Sequence, residues 1–270
     1  MQNQILLKDY KGEFIMNAKL FNISLIKYEL RNITGNIFTI IFGVFFPIMM
    51  TAGLSPIFMK SVPENFKSTA FTAFFIGAST IIPLASVFIG YSAVFSQEVE
   101  HKIPIRFKLF GYKESTLVAS KLIANLIFIT LSIILYVVVN YSILDLEKPN
   151  FSSAIILITS IYLLTIFLFI FAHGISLIFK KFAPTNALTM MLYFGIMILS
   201  GLFGATPNDF PQALKYISYL LPTTYISQDF INFWNGGSYN FGPFIQSFIL
   251  FGVVSCLVLF FAIQKNSREK

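Results

Sequence analysis

The sequence predicts an all-α polytopic membrane protein, and three observations indicate this class. Hydrophobic residues make up 56% of the 270 residues, and charged residues only 11%. The mean hydropathy of +0.76 would leave a soluble domain of this length with apolar surface that it could not bury. The apolar residues also gather into six long runs with almost no charge, and about 20 such residues are enough for a helix to cross a bilayer.

Residues 1–34 precede the first run and are predicted to form a cytoplasmic N-terminus with an amphipathic helix at the membrane interface. Apolar side chains recur there at three- and four-residue spacing, as in helices that lie along an interface. The stripe consists of Met16, Leu20, Ile23, Ile26, Leu30 and Ile33. Lys19 and Lys27 fall near its edges, where their stems would extend toward the headgroups. A cytoplasmic helix that merely leads into the membrane is the alternative.

The transmembrane domain is predicted to extend over residues 35–263, with a cytoplasmic tail at 264–270. We place its six spans at 35–58, 69–96, 117–144, 153–179, 183–204 and 244–263. Pro83 is expected to bend the second span, because proline removes a backbone donor. The longest outer loop, at 205–243, is predicted to be partly helical, with Pro222 separating two short helices.

The basic residues that flank the spans predict the orientation of the chain, because lysine and arginine are retained on the cytoplasmic side. With both termini inside, 15 of the 19 basic residues face the cytoplasm. The four that face outward are Lys60, Lys67, Lys148 and Lys215. The net charge of +7 then follows from bases near anionic lipid headgroups, so it does not indicate a nucleic-acid partner.

The segment between the second and third spans is the one densely charged internal stretch. It reads EVEHKIPIRFKLFGYKESTLVASK from Glu98 to Lys121, and we expect it to lie outside the hydrocarbon. Apolar side chains, among them Ile105, Phe107 and Leu109, are framed there by acids and bases. Such a surface suits docking to another protein. A merely solvated loop is the alternative.

The sequence shows none of the groups that a membrane enzyme needs, such as an activated nucleophile or paired carboxylates at membrane depth. The only cysteine, Cys256, allows neither a disulfide framework nor a cysteine metal site within one chain. We interpret His173 as a hydrogen-bonding residue in helix packing, with a proton relay as the alternative. The scarcity of acids within the spans argues against a proton- or sodium-coupled carrier. No P-loop motif is present to bind ATP phosphates.

These features together resemble the permease subunits of the ABC-2 type transporter family. In that family the second-to-third loop often opens with acids, passes through a Leu-Gly or Leu-Pro turn, and ends with a small residue and lysine. The similar residues here are Glu98, Glu100, Leu109, Phe110, Gly111, Ser115, Ser120 and Lys121. The outer segment Leu221–Tyr225 is similar to the family's proline-plus-aromatic signature. Gly111 departs from the pattern, since many members have proline there.

The resemblance implies a half-transporter, in which two permeases, identical or homologous, sit above two separate ABC ATPase subunits. ATP and Mg²⁺ would be bound by the ATPases, and this chain would bind no cofactor. The segment at 98–115 would be the coupling helix, with apolar side chains in a groove of the ATPase and charged ones at its rim. The implied coupling residues are Glu98, Glu100, Arg106, Phe107, Lys108, Leu109, Phe110, Gly111 and Lys113.

The resemblance also implies a cargo path along the second and fifth spans in the cell membrane. Candidate path residues are Thr72, Ser79, Thr80, Thr189 and Tyr193. Hydroxyls in a span equally serve helix packing, at about 0.6 kcal/mol each. A path without fixed charge favours a lipophilic or amphipathic cargo, such as a drug, a lipid or an amphiphilic or antimicrobial peptide, and the resemblance implies its export. The alternatives are a non-transporting membrane scaffold, sensor or immunity protein, and a membrane enzyme acting on lipids.

Overall fold

The computed structural model describes residues 22–268, which form helices and turns without any β-strand. Six of these helices are long and apolar enough to cross a membrane. The predicted fold class, an all-α polytopic membrane protein, is therefore confirmed. The predictions for Met16, Leu20, Lys19 and the last two residues of the tail lie outside the described residues.

The six spans occupy Ile37–Ile57, Glu64–Glu100, Glu114–Ile143, Phe151–Phe179, Phe182–Leu199 and Phe241–Arg268. Most of these helices continue past the predicted spans into polar residues, so the second span includes Glu98 and the third begins at Glu114. The fifth helix ends at Leu199, earlier than the apolar run suggests. Gly201 turns the chain there with a φ of +81°, a conformation that favours glycine.

The second span forms the centre of the bundle. In its most apolar stretch 83% of the residues are buried, compared with 28–39% in the other five spans. The first span approaches it closely at two glycines. A Cβ on Gly90 would lie 2.6 Å from Thr39 Oγ1, and a Cβ on Gly43 would lie 2.9 Å from Ser86 Cβ. Only glycine therefore allows the two helices to pack at this distance.

The first and second spans are wound irregularly. π-Helical segments occupy Ile41–Phe45 and Met49–Leu54 in the first span and Leu84–Tyr91 in the second. Pro47 and Pro83 stand next to these segments and lack the N–H that a regular α-helix requires. At Pro83, where the sequence predicts a bend of the second span, the structure has π-helical winding, which is common at functional sites; the bend itself stays a prediction.

The fourth and sixth spans pack closely along each other at the side of the bundle. A Cβ on Gly174 would lie 2.9 Å from the backbone nitrogen of Leu259. A Cβ on Gly252 would lie 2.8 Å from the ring of Phe167. Small residues at such crossings let the backbones approach in a membrane, where dispersion replaces the hydrophobic effect as the main attraction.

A helix at Ile23–Gly35, named here the lead-in helix, precedes the first span. Asn22 caps it, because its Oδ1 accepts the N–H groups of Ser24 and Leu25 at 3.0 and 3.3 Å. The helix packs along the third span and buries Leu25 and Glu29. Its location at a membrane interface stays a prediction.

The outer loop contains short helices at Gln212–Tyr219, Pro222–Gln228 and Phe230–Trp234. Pro222 begins the second of these, so the predicted division at this residue is present. Hydroxyl groups join the loop to the end of the fifth span, where Ser218 Oγ donates to Leu199 O at 2.6 Å and the hydroxyls of Thr223 and Ser200 are hydrogen-bonded to each other. Thr224 Oγ1 donates to Ser218 O at 2.7 Å and connects two of the short helices within the loop.

Candidate functional site

A short helix at Ile103–Leu109, named here the loop helix, follows the second span and presents apolar side chains on its outside. The exposed fraction is 81% for Leu109, 72% for Phe110 and 56% for Ile105. Phe107 points the other way, because its ring contacts Tyr28 and Tyr112 at centroid distances of 6.1 and 5.8 Å. Phe107 therefore attaches the loop helix to its own chain and leaves Leu109 and Phe110 free to contact a partner.

Two left-handed residues frame the loop helix. Lys102 precedes it with a φ of 58°, and Gly111 follows it with a φ of 84°. Proline fixes φ near about −65°, so it could not adopt the conformation found at Gly111. The departure from the family pattern at this position thus has a local explanation in the backbone.

The bases predicted for partner contact are exposed around the loop helix. Arg106 and Lys108 lie in its last turn, and Lys113 precedes the third span. Basic residues at a helix C-terminus complement the negative end of the helix dipole. The same side chains give the apolar tip a positive rim.

Glu100 lies at the end of the second span and makes a contact within the chain. Its Oε2 accepts the backbone N–H of Phe182 at 2.8 Å, which is the first residue of the fifth span. A carboxylate at a helix N-terminus satisfies an unpaired donor and interacts favourably with the helix dipole. Glu100 thus connects the inner ends of the second and fifth spans.

The centre of the site is a buried ion triad that joins three elements. Lys121 Nζ lies 2.8 Å from Glu98 Oε2 and 2.8 Å from Glu29 Oε1. The exposed fractions are 6% for Lys121, 6% for Glu98 and 4% for Glu29. The triad therefore ties the lead-in helix and the end of the second span to the start of the third.

The carboxyl group of Glu29 is affected by its position in this triad. Burial raises its pKa above the ordinary glutamate range, although the neighbouring ammonium of Lys121 opposes this effect. Asn32 adds a weak contact from the same helix, with Nδ2 3.4 Å from Glu98 Oε1. Among the described residues, all three charged side chains of the triad are thus almost fully shielded from bulk solvent.

The triad changes the interpretation of two predicted residues. Glu98 was expected at the rim of a partner contact and Lys121 among the solvated bases of the loop, but both are buried inside the chain. Glu29 was not among the predicted site residues. The sequence does contain a signal for Glu29, because this acid lies off the apolar stripe of the lead-in helix. An acid on a helix face that packs against protein needs a basic partner.

The candidate path residues are buried within the single chain, and most have hydrogen bonds there. Thr72 Oγ1 donates to Ser68 O at 2.7 Å and accepts the N–H of Glu147 at 2.8 Å. The hydroxyls of Ser79 and Thr80 donate to backbone carbonyls of their own helix. These contacts describe packing and loop attachment, so no path is open along these residues in this conformation.

The fifth-span candidates differ from one another in their contacts. Thr189 Oγ1 accepts from Ser92 Oγ at 3.3 Å, which joins the fifth span to the second. The hydroxyl of Tyr193 has no hydrogen-bond partner among the described residues, although its side chain is only 2% exposed. Tyr193 is therefore the one predicted path residue with an unused polar atom.

His173 lies in the fourth span and packs against aromatic rings. Its Nδ1 is 2.6 Å from the hydroxyl of Tyr91, and its ring stacks on Phe95 at a centroid distance of 4.4 Å. This environment agrees with the interpretation of His173 as a hydrogen-bonding residue in helix packing. Within residues 22–268, no group of three or more His, Cys, Asp or Glu side chains is arranged to hold a metal ion.

Comparison with known proteins identifies the family. The model of the ABC-2 type transporter family matches residues 22–233, which include the lead-in helix, the first five spans, the loop helix and the outer helices. No curated protein matches the chain significantly. The match covers most of the sequence, and it agrees with six membrane-spanning helices and a central second span that ends in an exposed loop helix. The chain therefore belongs to the ABC-2 type transporter family.

Proposed function

We propose that this chain is the permease subunit of an ATP-driven exporter, paired with a second permease and served by two separate ABC ATPases. The observation that carries the proposal is the loop helix, whose apolar tip at Leu109 and Phe110 is exposed at the end of the most buried span. Apolar side chains on a positive rim fit the composition of a protein interface, with an apolar centre and a polar periphery. An ATPase groove of complementary charge is the partner that we infer.

The contacts behind the loop helix suggest how movement would be transmitted. The ion triad joins the second span to the lead-in helix and the third span, and Glu100 joins it to the fifth. A displacement of the loop helix would therefore move several rigid helices together, which is how small shifts at one site become movements of whole elements. ATP binding by the partner would tilt the spans between inward- and outward-facing states.

The cargo class follows from the residues of the proposed path. The candidate residues of the second and fifth spans are neutral, so a lipophilic or amphipathic molecule suits them better than a highly charged solute. We propose outward transport of a drug, lipid or amphiphilic peptide across the cell membrane. A resting path closed by packed helices is consistent with a cargo that enters only after the helices move.

The test of the coupling proposal is Phe110→Asp in the full-length chain, co-expressed with its ATPase partner in membranes. A charge at the apolar tip should exclude it from a groove, because burying an unpaired carboxylate costs several kcal/mol. We expect at least about a tenfold loss of cargo-stimulated ATP hydrolysis, equal to 1.4 kcal/mol, with normal membrane insertion. Vanadate-sensitive hydrolysis in proteoliposomes measures the effect.

Phe110→Leu and Phe203→Asp are the matched controls. Leucine keeps the apolar tip, and Phe203 is another exposed phenylalanine, 53% accessible, located in the outer turn after the fifth span. Both should keep wild-type hydrolysis. Wild-type stimulation and assembly in Phe110→Asp would contradict the proposed coupling. Co-purification with a partner but no cargo-stimulated hydrolysis in the wild type would instead favour the scaffold or sensor alternative.

A further inference from the structure

A narrow crevice opens where the lead-in helix meets the first three spans. Its volume is about 20 Å³, which is room for one water molecule or an ion of similar size. Lys121 of the ion triad forms part of its wall. Six further lining side chains contain oxygen: Glu29, Asn32, Thr39, Ser86, Tyr91 and Asn125. The crevice is therefore small, bordered by both polar and apolar side chains, and located beside a buried charge cluster.

Asn125 lines this crevice and has an unused acceptor. Its side chain is 2% exposed, and its Nδ2 donates to Lys121 O at 2.9 Å. Its Oδ1 accepts from no group within residues 22–268. A buried polar atom without a partner costs about 1–3 kcal/mol. The amide oxygen therefore requires a donor or a cation in the crevice.

The charge of the neighbouring triad points to a cation. Lys121 balances only one of the two carboxylates of Glu29 and Glu98, so one negative charge remains in excess. Of the triad, Glu29 and Lys121 line the crevice, and no acidic or basic side chain outside the triad does so. A buried charge without compensation is unfavourable by several kcal/mol. A positively charged occupant would remove this penalty and satisfy Asn125 together.

We propose that the crevice binds a single Na⁺ ion. Hard cations prefer oxygen ligands, which the six lining side chains provide. One excess negative charge matches a monovalent ion, whereas divalent sites need more carboxylates than this crevice contains. A crevice of this size admits the ion only without its hydration shell, and the strong field of the Glu29 carboxylate favours the smaller Na⁺ over K⁺.

The ion would act on the position of the lead-in helix. It would hold Glu29 and Asn32 of this helix against Asn125 of the third span and against Thr39 and Ser86 of the first and second spans. This role is structural and regulatory, and it does not make the protein a sodium-coupled carrier. The inference rests on the crevice alone and is independent of the proposed export function.

The test uses the full-length chain in lipid nanodiscs without an ATPase. Thermal unfolding is measured in sodium, potassium and choline chloride at equal ionic strength and equal pH. Na⁺ at several times its dissociation constant should raise the Tm by about 2–4 °C relative to choline, and K⁺ should raise it less. Scintillation-proximity binding of radioactive sodium should saturate near one ion per chain.

Two variants remove the site in different ways, and a third is a matched control. Asn125→Leu removes the unused amide oxygen, and Glu29→Gln removes the excess charge with little change of shape. Both should abolish sodium binding and the Tm increase.

The matched control is Asn140, which lies on the same helix as Asn125. Its Nδ2 also donates to a backbone carbonyl, that of Tyr136 at 2.8 Å. Its Oδ1 likewise has no partner among the described residues, but it does not line the crevice. Asn140→Leu should therefore bind sodium as the wild type does.

Three results would overturn the proposal. Equal Tm values in all three salts would mean that the crevice holds water only. A stabilisation that follows pH and not the cation would assign the compensating charge to a proton on Glu29. Sodium binding that persists in both Asn125→Leu and Glu29→Gln would locate the ion elsewhere. None of these results affects the coupling experiment, because Phe110 does not line the crevice.

Discussion

At the scale of single residues, Lys121 is the most constrained side chain of the inner half of the molecule. It is buried and is held between Glu29 and Glu98 at 2.8 Å from each carboxylate. An isolated ammonium at this location would be strongly unfavourable, so the lysine and the two acids stabilise one another only as a set. Removing one member leaves the others buried without compensation.

We predict that Lys121→Met lowers the free energy of unfolding by about 3–5 kcal/mol, because two buried carboxylates lose their cation. Chemical denaturation of the detergent-solubilised chain measures this change. The deficit should shrink as the pH is lowered. Burial already raises the pKa of Glu29, and a carboxyl group with a raised folded-state pKa contributes stability at low pH that is lost as the pH rises through that pKa.

The control for this prediction replaces the whole triad by neutral side chains. Glu29→Gln and Glu98→Gln combined with Lys121→Met should recover most of the lost stability, because no uncompensated charge remains. If Lys121→Met alone were as stable as the wild type at neutral pH, the triad would carry no charge in the folded state.

At the scale of elements, the second span organises the site because the ion triad, the crevice and the loop helix all involve it. It is the most buried span, its π-helical segment faces the crevice, and its end leads into the loop helix. Glu100 connects this end to the fifth span by accepting the N–H of Phe182 at 2.8 Å. The connection predicts that the fifth span depends on a side chain of the second for the order of its first turn.

We predict that Glu100→Ala destabilises the first turn of the fifth span by about 1 kcal/mol, the usual cost of removing an N-terminal cap. Amide exchange of the peptide beginning at Phe182 should become about fivefold faster, measured by mass spectrometry in nanodiscs. Gln97→Ala is the matched control, since Gln97 is also exposed on the last turns of the same helix. Unchanged exchange in Glu100→Ala would show that water replaces the carboxylate without loss.

At the scale of the whole molecule, the six spans and the family match describe a transporter permease, and the distribution of basic residues predicts how it lies in the membrane. The exposed apolar tip and most of the basic side chains are expected on the cytoplasmic side, whereas the short helices of the outer loop cover the opposite end. The orientation is a prediction from charge. It can be tested by cysteine labelling, because the chain has a single native cysteine to replace.

We predict that Lys108→Cys reacts with an impermeant maleimide only from the cytoplasmic side and Lys148→Cys only from the outside. Both substitutions are made in a Cys256→Ala background, because Cys256 is exposed and is the only cysteine. Labelling of intact cells before and after permeabilisation measures the two accessibilities. The reverse pattern would invert the topology and would remove Phe110 from the reach of a cytoplasmic ATPase.

Several features of the protein could be predicted from the sequence because they depend on local composition. Six apolar runs are long enough to cross a bilayer whatever their neighbours are, so the fold class and the number of spans follow from hydropathy alone. The breaks at Pro83 and Pro222 follow from a missing N–H. The charged segment between the second and third spans was recognised because charge is conspicuous among apolar residues.

The tertiary structure decided which side chains of that segment face outward and which are held inside. Leu109 and Phe110 are exposed, whereas Phe107 packs on Tyr28 and Glu98 is paired with Lys121. Sequence spacing could not show this, because Glu29, Glu98 and Lys121 are separated by many residues and meet only when three helices pack. Composition therefore determined that the chain is an all-α polytopic membrane protein, and packing decided where its buried charge, its crevice and its free surface lie, since burial and pairing are properties of contacts between distant segments.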